Sequence, residues 1–448
     1  MKDLTKGKPS SLILSFAFPI FLANLLQLTY SLADTRIVGS FLGEDALAAV
    51  GSTSTVSNLI IGFLLGLANG FAIITAQRFG AKDIKGMKKS FAASILLGTG
   101  ISIVLTVLGM IFKNTLLGFL NVPHNLYGEA GAYIFIIIAG MTATFLYDSC
   151  AAVLRSLGDT ITPLIILLVS VALNITGDLF FVVVLKSGVR GAAIATVLAQ
   201  IIAFVICFVY MFKKYEILRL TKSDFTSLDG NLVRNMLGSG LSMGFMSSLV
   251  NIGSLTLQTA INKLGQDIIV AHTAARKISE MFMIMFTVFG QTMATYCGQN
   301  MGAGRIDRVK TGIKSALIYT CSWCVLTVIA SYTIGDWLIY LVTGSNNENV
   351  IRNAVNYLKF DTVFYFVTAF ICILRNAMQG LGEHIIPLIS SSLEMVGKII
   401  IAATLVPWLG YAGVIVAEPI VWFIMVMPLI IQILKMIPAL EKQYGSPV

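Results

Sequence analysis

Long apolar segments recur along the whole sequence and constrain its fold more than any other feature. They lie near residues 11–38, 47–77, 88–112, 126–153, 160–185, 191–213, 232–262, 268–298, 308–341, 350–379, 384–407 and 411–436. Each is long enough for an α-helix to cross a bilayer core of roughly 30 Å. The 448-residue chain is 56% hydrophobic and only 12% charged, too little charge to cover a soluble protein of this length. The sequence therefore predicts an all-α membrane protein with twelve transmembrane helices.

The basic residues indicate how these helices are oriented. Most of the 31 Lys and Arg residues fall in alternate loops, as the positive-inside rule requires. This distribution predicts a multi-pass protein of the plasma (inner) membrane with both termini in the cytoplasm. It also accounts for the net charge of +9 without a nucleic acid as partner. The basic start MKDLTKGK leads into a segment with no small-residue cleavage site, so we expect no cleavable signal peptide.

The two halves of the sequence repeat each other. Matches occur in the same order at offsets of 222 to 224 residues: QRFGAKD at 77–83 with QNMGAGRID at 299–307, LGDTITP at 157–163 with LGEHIIP at 381–387, and GAAIA at 191–195 with GVIVA at 413–417. An offset of six spans is even, so both halves cross the membrane in the same direction. We expect two six-helix bundles related by a pseudo-two-fold axis along the membrane normal, with a cavity between them. The predicted domains are an N-terminal bundle over 1–213, a polar cytoplasmic linker over 214–231 and a C-terminal bundle over 232–448.

The first apolar segment carries a polar stripe. Its members recur at steps of three, four and three residues, which places them on one helix face: Asn24, Gln27, Ser31 and Asp34. A carboxylate inside a membrane is costly and marks a functional site by default. We interpret the stripe as the lining of a transport cavity and Asp34 as its ion-coupling group. Pro19 removes a backbone hydrogen bond below the stripe, so this helix can bend there.

Helix depth predicts companions for Asp34. At 1.5 Å per residue, Asp34 and Asp178 lie roughly 35 Å and 27 Å from the inner ends of their helices, and Thr196 roughly 8 Å from an outer end. Asn174 shares a helix face with Asp178. These oxygen ligands suit Na⁺, and two nearby carboxylates equally suit a proton, so both ions stay open. The alternatives are structural roles: Asp34 forms an ion pair with Arg36 at the membrane interface, or Thr196 forms a hydrogen bond between helices.

The second half lacks this stripe but has charges of its own. The positions matching the stripe are Met246, Leu249, Gly253 and Thr256, with no acid among them. Glu394, Lys398 and Glu418 form a predicted polar cluster, interpreted either as a self-neutralising structural network or as a second coupling or substrate site. Asp361 is a looser candidate acid.

Glu280 is the last predicted site residue. It either faces the cavity and attracts cationic substrates or pairs with Arg276 one turn earlier.

No motif in the sequence indicates catalysis. There is no HExxH sequence, and the three histidines, His124, His272 and His384, lack metal-ligand spacing. Cys321 and Cys324 form a single CxxC on a hydrophobic helix, which is typical of small core residues. We therefore predict that the protein is not an enzyme and has no cofactor other than a coupling ion.

Several of these motifs resemble those of the multidrug and toxic compound extrusion (MATE) transporters, prokaryotic branch, over nearly the whole length. The motifs that carry the resemblance are Asp34-Thr35, Val38-Gly39, Leu42-Gly43, LRSLGDTITP at 154–163, GAAIAT at 191–196 and GQNMGAG at 298–304. The resemblance implies a V-shaped cavity between the bundles and export of organic, often cationic, drug-like compounds in exchange for Na⁺ or H⁺.

Individual residues also match positions of that family. The resemblance assigns Asp34, Asn174, Asp178 and Thr196 to a cation or proton site, metal-binding if the ion is Na⁺. It assigns Pro19 to a helix bend and Gln27 to the cavity lining.

We expect a small-molecule substrate, contact with the lipid bilayer and a monomer. The alternative function is that of a flippase or exporter of lipid-linked oligosaccharides or other metabolites in the same superfamily; a non-transporting receptor or scaffold is disfavoured by the paired acids and the repeated halves.

Overall fold

The computed structural model describes residues 2–119, 122, 126–226, 228–344 and 347–444, and the regular structure within them is helical. The α-helices are α1 Pro9–Leu42, α2 Glu44–Gly80, α3 Ile84–Ile111, α4 Lys113–Phe119, α5 Tyr127–Ser156, α6 Ile161–Asp178, α7 Gly188–Lys214, α8 Lys222–Thr226, α9 Gly230–Ile261, α10 Gln266–Gly302, α11 Ile306–Thr333, α12 Gly335–Thr343, α13 Glu348–Val363, α14 Tyr365–Gly380, α15 Ile385–Ala403, α16 Leu405–Leu409 and α17 Tyr411–Tyr444. A π-helix, Leu179–Val184, follows α6 directly, and a 3₁₀ turn, Glu216–Leu218, follows α7.

Most of these helices are long and apolar enough to cross a bilayer. In the described part of the chain, ten pass on length and composition, and α13 with α14 forms a further span that bends by 53°. Helix α10 has 37 residues, and its first half carries Arg276, Lys277 and Glu280. With α10 the long helices match the twelve predicted spans, and the prediction of an all-α membrane protein is confirmed.

Equivalent glycines directly precede the second long helix of each half. Gly43 lies between α1 and α2 with φ 88°, and Gly265 lies between α9 and α10 with φ 101°. Both are in the region that favours glycine, so each supports a tight turn between two long helices. An acidic first turn follows each one, with Asp45 in α2 and Asp267 in α10, where acids stabilise a helix N-terminus.

The contacts divide the chain into two compact units. The first comprises Met1–Asp3 and Phe18–Ser247, and the second comprises Leu4–Ala17 and Ser248–Val448. Helices α1 and α9 each contribute residues to both units. The domain boundaries predicted from the sequence, at 213/214 and 231/232, stay a prediction.

In the first unit, glycines on α2 permit very close helix packing. A Cβ atom on Gly66 would lie 2.5 Å from the Met243 carbonyl oxygen, and one on Gly70 would lie 2.5 Å from that of Ser239. The Ser239 hydroxyl donates a 2.7 Å hydrogen bond to the Gly70 carbonyl. In lipid the hydrophobic effect does not drive helices together. Small residues at such crossings instead allow the close van der Waals packing that holds the helices together.

In the second unit, the N-terminal segment is held by polar side chains near the start of α11. Leu4 is fully buried, and its N–H donates to Gln299 Oε1 at 3.0 Å. Arg308 donates to the carbonyls of Leu4 at 3.1 Å and Gly7 at 2.8 Å. These charge-assisted bonds fix the approach to α1.

Candidate functional site

The structure brings together the four residues predicted to bind the coupling ion. Asp34 comes from α1, Asn174 and Asp178 from α6, and Thr196 from α7, all within the first unit. Asp178 and Asn174 are buried, whereas Asp34 and Thr196 are half-buried. The carboxyl groups of Asp34 and Asp178 lie within hydrogen-bonding range of each other. Two carboxyl groups hydrogen-bond only when one carries a proton, so this arrangement suits the binding of one proton.

Asn174 connects the acid pair to Thr196. In the amide orientation that matches donors with acceptors, its nitrogen donates to Asp178 Oδ2 at 3.0 Å. Its oxygen then accepts from the backbone N–H and the hydroxyl of Thr196, both at 3.1 Å. The amide therefore holds Asp178 and Thr196 on either side of it.

Two oxygens of this site lack hydrogen-bond partners. Asp34 Oδ1 and Asp178 Oδ1 are buried, and neither has a partner among the described residues. Together with the Asn174 and Thr196 oxygens they form a donor set that suits a hard cation such as Na⁺. In the described part of the chain, no group of three or more His, Cys, Asp or Glu could hold a metal ion, so a cation here would depend on the amide and hydroxyl as well.

Two tyrosines complete the site, and the sequence analysis missed both. Tyr30 lies one turn before Asp34 on α1, and its hydroxyl hydrogen-bonds with the Thr196 side chain. Tyr133 lies on α5, close to both acids and to Tyr30. The i, i+4 spacing from Asp34 could have revealed Tyr30. Nothing in the sequence around Tyr133 links it to the site.

Backbone features explain why these side chains converge. A Cβ atom on Gly177 would lie 3.0 Å from the Ala195 Cβ, so small residues let α6 and α7 approach beside Asn174 and Thr196. Directly after Asp178 the helix widens into the π-helix Leu179–Val184. Such π segments frequently occur at functional sites, where they redirect side chains without ending the helix.

The remaining stripe residues have different surroundings. The Asn24 amide donates to the Ile20 carbonyl in its own helix at 2.8 Å, whereas Gln27 and Ser31 are exposed. Pro19 lies inside α1, which is continuous from Pro9 to Leu42. The bend at Pro19 and the cavity-lining roles stay predictions.

The second unit contains a buried ionic cluster on α10, α14, α15 and α17. Glu394, Lys398 and Glu418, predicted as one cluster, do lie together, and Arg276 and Arg375 extend it. Lys398 Nζ is 3.1 Å from Glu394 Oε1 and 3.5 Å from Glu418 Oε1. Arg276 Nη1 contacts both Glu418 oxygens, at 3.0 and 3.1 Å, and Arg375 Nη2 lies 3.6 Å from Glu394 Oε2.

Asp361 on α13 lies beside this cluster. It is fully buried and lies in the field of Arg276, Lys398 and Glu418. Three acids, Asp361, Glu394 and Glu418, thus face three bases, Arg276, Arg375 and Lys398. Both interpretations of the cluster, structural network and second functional site, stay open.

Glu280 does not pair with Arg276. Its carboxylate is exposed and lies 3.8 Å from Lys277, whereas Arg276 turns to Glu418 on α17. A charge-assisted contact to a buried carboxylate is stronger than an exposed pair one turn away, so Arg276 binds Glu418. Of the histidines, His272 packs against Tyr357, with ring centroids 5.0 Å apart, and His384 contacts Gln379 at 3.0 Å. His124 lies outside the described residues.

The long apolar helices of the described residues, with a polar site among them, are typical of a helical membrane transporter. A sequence profile of the MatE family matches residues 19–180 and 242–404, most of both halves. The chain therefore belongs to the MatE family, and the predicted relationship is confirmed. The two matched segments also begin about 223 residues apart, in agreement with the internal repeat.

Individual relatives support the same assignment. The chain is 28% identical over 417 residues to "Probable multidrug resistance protein YpnP" of Bacillus subtilis (strain 168), covering 92% of both chains. It is 28% identical over 350 residues to "Probable multidrug resistance protein YoeA" of the same organism, covering 76% of this chain and 71% of that one. A solved structure described as MATE in the bent conformation matches with a TM-score of 0.91 at 23% identity, covering 99% and 98% of the two chains, and shows the shared fold.

Proposed function

We propose that this protein is a secondary antiporter that exports organic, often cationic, drug-like compounds in exchange for H⁺ or Na⁺. The observation that carries the proposal is the contact between the half-buried Asp34 and the buried Asp178. Family membership and the multidrug-resistance names of relatives support the export of drug-like compounds.

Coupling follows from the cost of two charges at one site. When neither acid carries a proton, two carboxylates repel each other in a medium of low dielectric constant. Binding of one positive charge removes that repulsion and draws Asp34 on α1 toward Asp178 on α6. The ion thereby changes the preferred position of α1, the helix that carries the polar stripe and Pro19.

The direct contact between the carboxyl groups favours a proton as the coupling ion, since a shared proton is what such a contact requires. A sodium ion would instead be held by oxygens of Asp34, Asp178, Asn174 and Thr196 and would supply the positive charge that neutralises the acids. Tyr30 contacts Thr196, which Asn174 links to Asp178, and Tyr133 lies close to both acids, so the two tyrosines help to hold the pair in place.

Other roles complete the proposal. Asn24, Gln27, Ser31 and Glu280 line the substrate cavity, and the exposed carboxylate of Glu280 attracts cations. The helices form an N-terminal bundle over 1–213, a linker over 214–231 and a C-terminal bundle over 232–448. The protein is a monomer of the plasma membrane with both termini in the cytoplasm, it binds no nucleic acid, and its function is transport without catalysis.

Dye efflux from proteoliposomes tests this function. The full-length protein is reconstituted and ethidium efflux is measured under a proton gradient, a sodium gradient and neither. We expect efflux that depends on one of the two gradients and is lost in Asp34→Asn. The matched control Asp45→Asn makes the same change at an exposed helix start and should retain efflux. Full gradient-driven efflux by Asp34→Asn would refute the coupling role, and no gradient-dependent dye flux in the wild type would favour another cargo, such as a lipid-linked oligosaccharide.

A further inference from the structure

An apolar groove with a basic end lies on the second unit, apart from both polar sites. Its volume is about 670 Å³, and it lies between α11, α14 and α17. The residues that line it are Lys310, Ile313, Lys314, Leu317, Ile318, Cys321, Phe370, Leu374, Ile430, Ile433, Leu434, Ile437, Pro438 and Glu441. Apart from the three charged residues, almost all of these side chains are apolar.

The arrangement of the lining explains the shape of the groove. On α11 the lining residues recur from Lys310 at steps of three and four residues, which keeps them on one helix face. The lining of α17, from Ile430 to Glu441, has the same period. Phe370 and Leu374 of α14 complete the lining between these two faces. The groove therefore runs along the helices, the direction in which an acyl chain lies in a bilayer.

The charges occupy one end of the groove. Lys310 lies in the second turn of α11, and its Nζ is 2.9 Å from Glu441 Oε1 near the end of α17. Lys314 lies one turn deeper and is exposed. Among the residues that the structure describes, Lys314 has no ion pair and no hydrogen bond. An exposed ammonium without an ion pair among the described residues thus lies at the end of the groove near the start of α11, beside the apolar lining.

We propose that this groove binds one anionic diacyl phospholipid. An acyl chain lies along the apolar lining, and the phosphate meets Lys314 and Lys310. The volume is within the range of small-molecule sites, about 300–1,000 Å³. Basic pockets between transmembrane helices are suited to anionic headgroups, and lysines at helix ends extend toward the surface. Charge complementarity favours an anionic lipid over a second copy of the chain, which would bring the same lysines together.

Native mass spectrometry of the full-length protein in mild detergent tests the proposal. The probes are dioleoyl phosphatidylglycerol and dioleoyl phosphatidylcholine, which share their acyl chains and differ in net charge. We expect one molecule of phosphatidylglycerol to be retained in preference to phosphatidylcholine. The double variant Lys310→Gln, Lys314→Gln should reduce that preference about tenfold or more, because each lysine near the surface contributes attraction worth about fivefold.

Matched controls separate a site from general attraction. Lys85→Gln, Lys89→Gln removes the same charge at the same i, i+4 spacing near the start of α3, and should keep the preference. Dihexanoyl phosphatidylglycerol has the same headgroup with short chains and should bind much more weakly.

Four results would overturn the proposal. They are equal retention of the two dioleoyl lipids, equal loss in both double variants, undiminished binding of the short-chain lipid, and a protein dimer that Leu434→Gln abolishes. The last would assign the groove to a second copy of the chain.

Discussion

Removing Lys398 tests whether the buried cluster of the second unit exists as charged groups. The side chain is only 4% exposed, and it stands between Glu394 and Glu418 at 3.1 and 3.5 Å. It also donates to Ser254 at 3.2 Å. Replacing it with Met keeps most of the volume and removes the base that contacts both Glu394 and Glu418. Breaking a buried ion pair on one side typically costs about 3–5 kcal/mol.

Thermal unfolding of the purified protein measures this loss. For a unit of this size, 1 kcal/mol corresponds to about 2–4 °C, so Lys398→Met should lower the Tm by about 6–20 °C. The control Lys277→Met changes the same residue type on α10, where the ammonium is 62% exposed and 3.8 Å from Glu280, and should cost about 1 kcal/mol or less. Equal Tm values for Lys398→Met and Lys277→Met would refute a charged cluster.

Three further predictions concern other parts of the chain. Arg308→Gln removes the hydrogen bonds to the Leu4 and Gly7 carbonyls, so trypsin should cleave this variant faster near Lys6 and Lys8. The rate should be several times that of the control Arg305→Gln, which changes an exposed arginine. Equal cleavage rates would contradict this role of Arg308. Burial would raise the pKa of Asp159, but hydrogen bonds from Tyr215 and Thr162 outweigh it and hold that pKa below its ordinary value. The ionised Asp159 therefore stabilises the fold above about pH 4, and this contribution is lost as the pH falls through its lowered pKa. Asp159→Asn should flatten the acid side of a plot of Tm against pH. An unchanged plot would contradict this role of Asp159. Gly66→Val places side-chain atoms against the backbone of α9 and should lower the Tm by many degrees, whereas Gly51→Ala, which has open space around it, should change the Tm little; similar Tm values would argue against close packing there.

The grouping of Asp34, Asn174, Asp178 and Thr196 could be predicted largely from the sequence, because the direction of each membrane-spanning helix is known from the loops. The position of Asp34, Asp178 and Thr196 along their helices gives the depth of each residue in the membrane. Only the direction in which each side chain points is then unknown. The i, i+4 spacing of Asn174 and Asp178 settles part of that. The structure brings all four residues together, whereas their role in coupling stays a prediction.

Contacts between helices distant in sequence could not be predicted in this way. Tyr133 lies on α5, close to Asp34 and Asp178. The residues around Tyr133 in the sequence form no polar pattern that would predict this position. Arg276 has Glu280 one turn away, yet it binds Glu418 on α17, 142 residues later. Local spacing identifies candidate partners on one helix, but the burial of Glu418 favours it over the exposed Glu280 as the partner of Arg276.

The bent span formed by α13 and α14 was also beyond the sequence analysis. A single apolar segment near 350–379 is long enough for one span, but helix α13 ends at Val363 and α14 starts at Tyr365 with a 53° change of direction. No proline or glycine lies at this break, so the sequence has none of the usual signals of a bend.

The central claim is that Asp34 and Asp178 act as one ion-binding unit. The most direct measurement is a double-mutant cycle on proton-gradient-driven and sodium-gradient-driven ethidium efflux, with Asp34→Asn, Asp178→Asn and the double variant. If the acids share one ion, either single change removes coupling, and the double variant is no worse than each single one. Two partial losses that multiply in the double variant would show that the acids act independently, and would contradict the shared site.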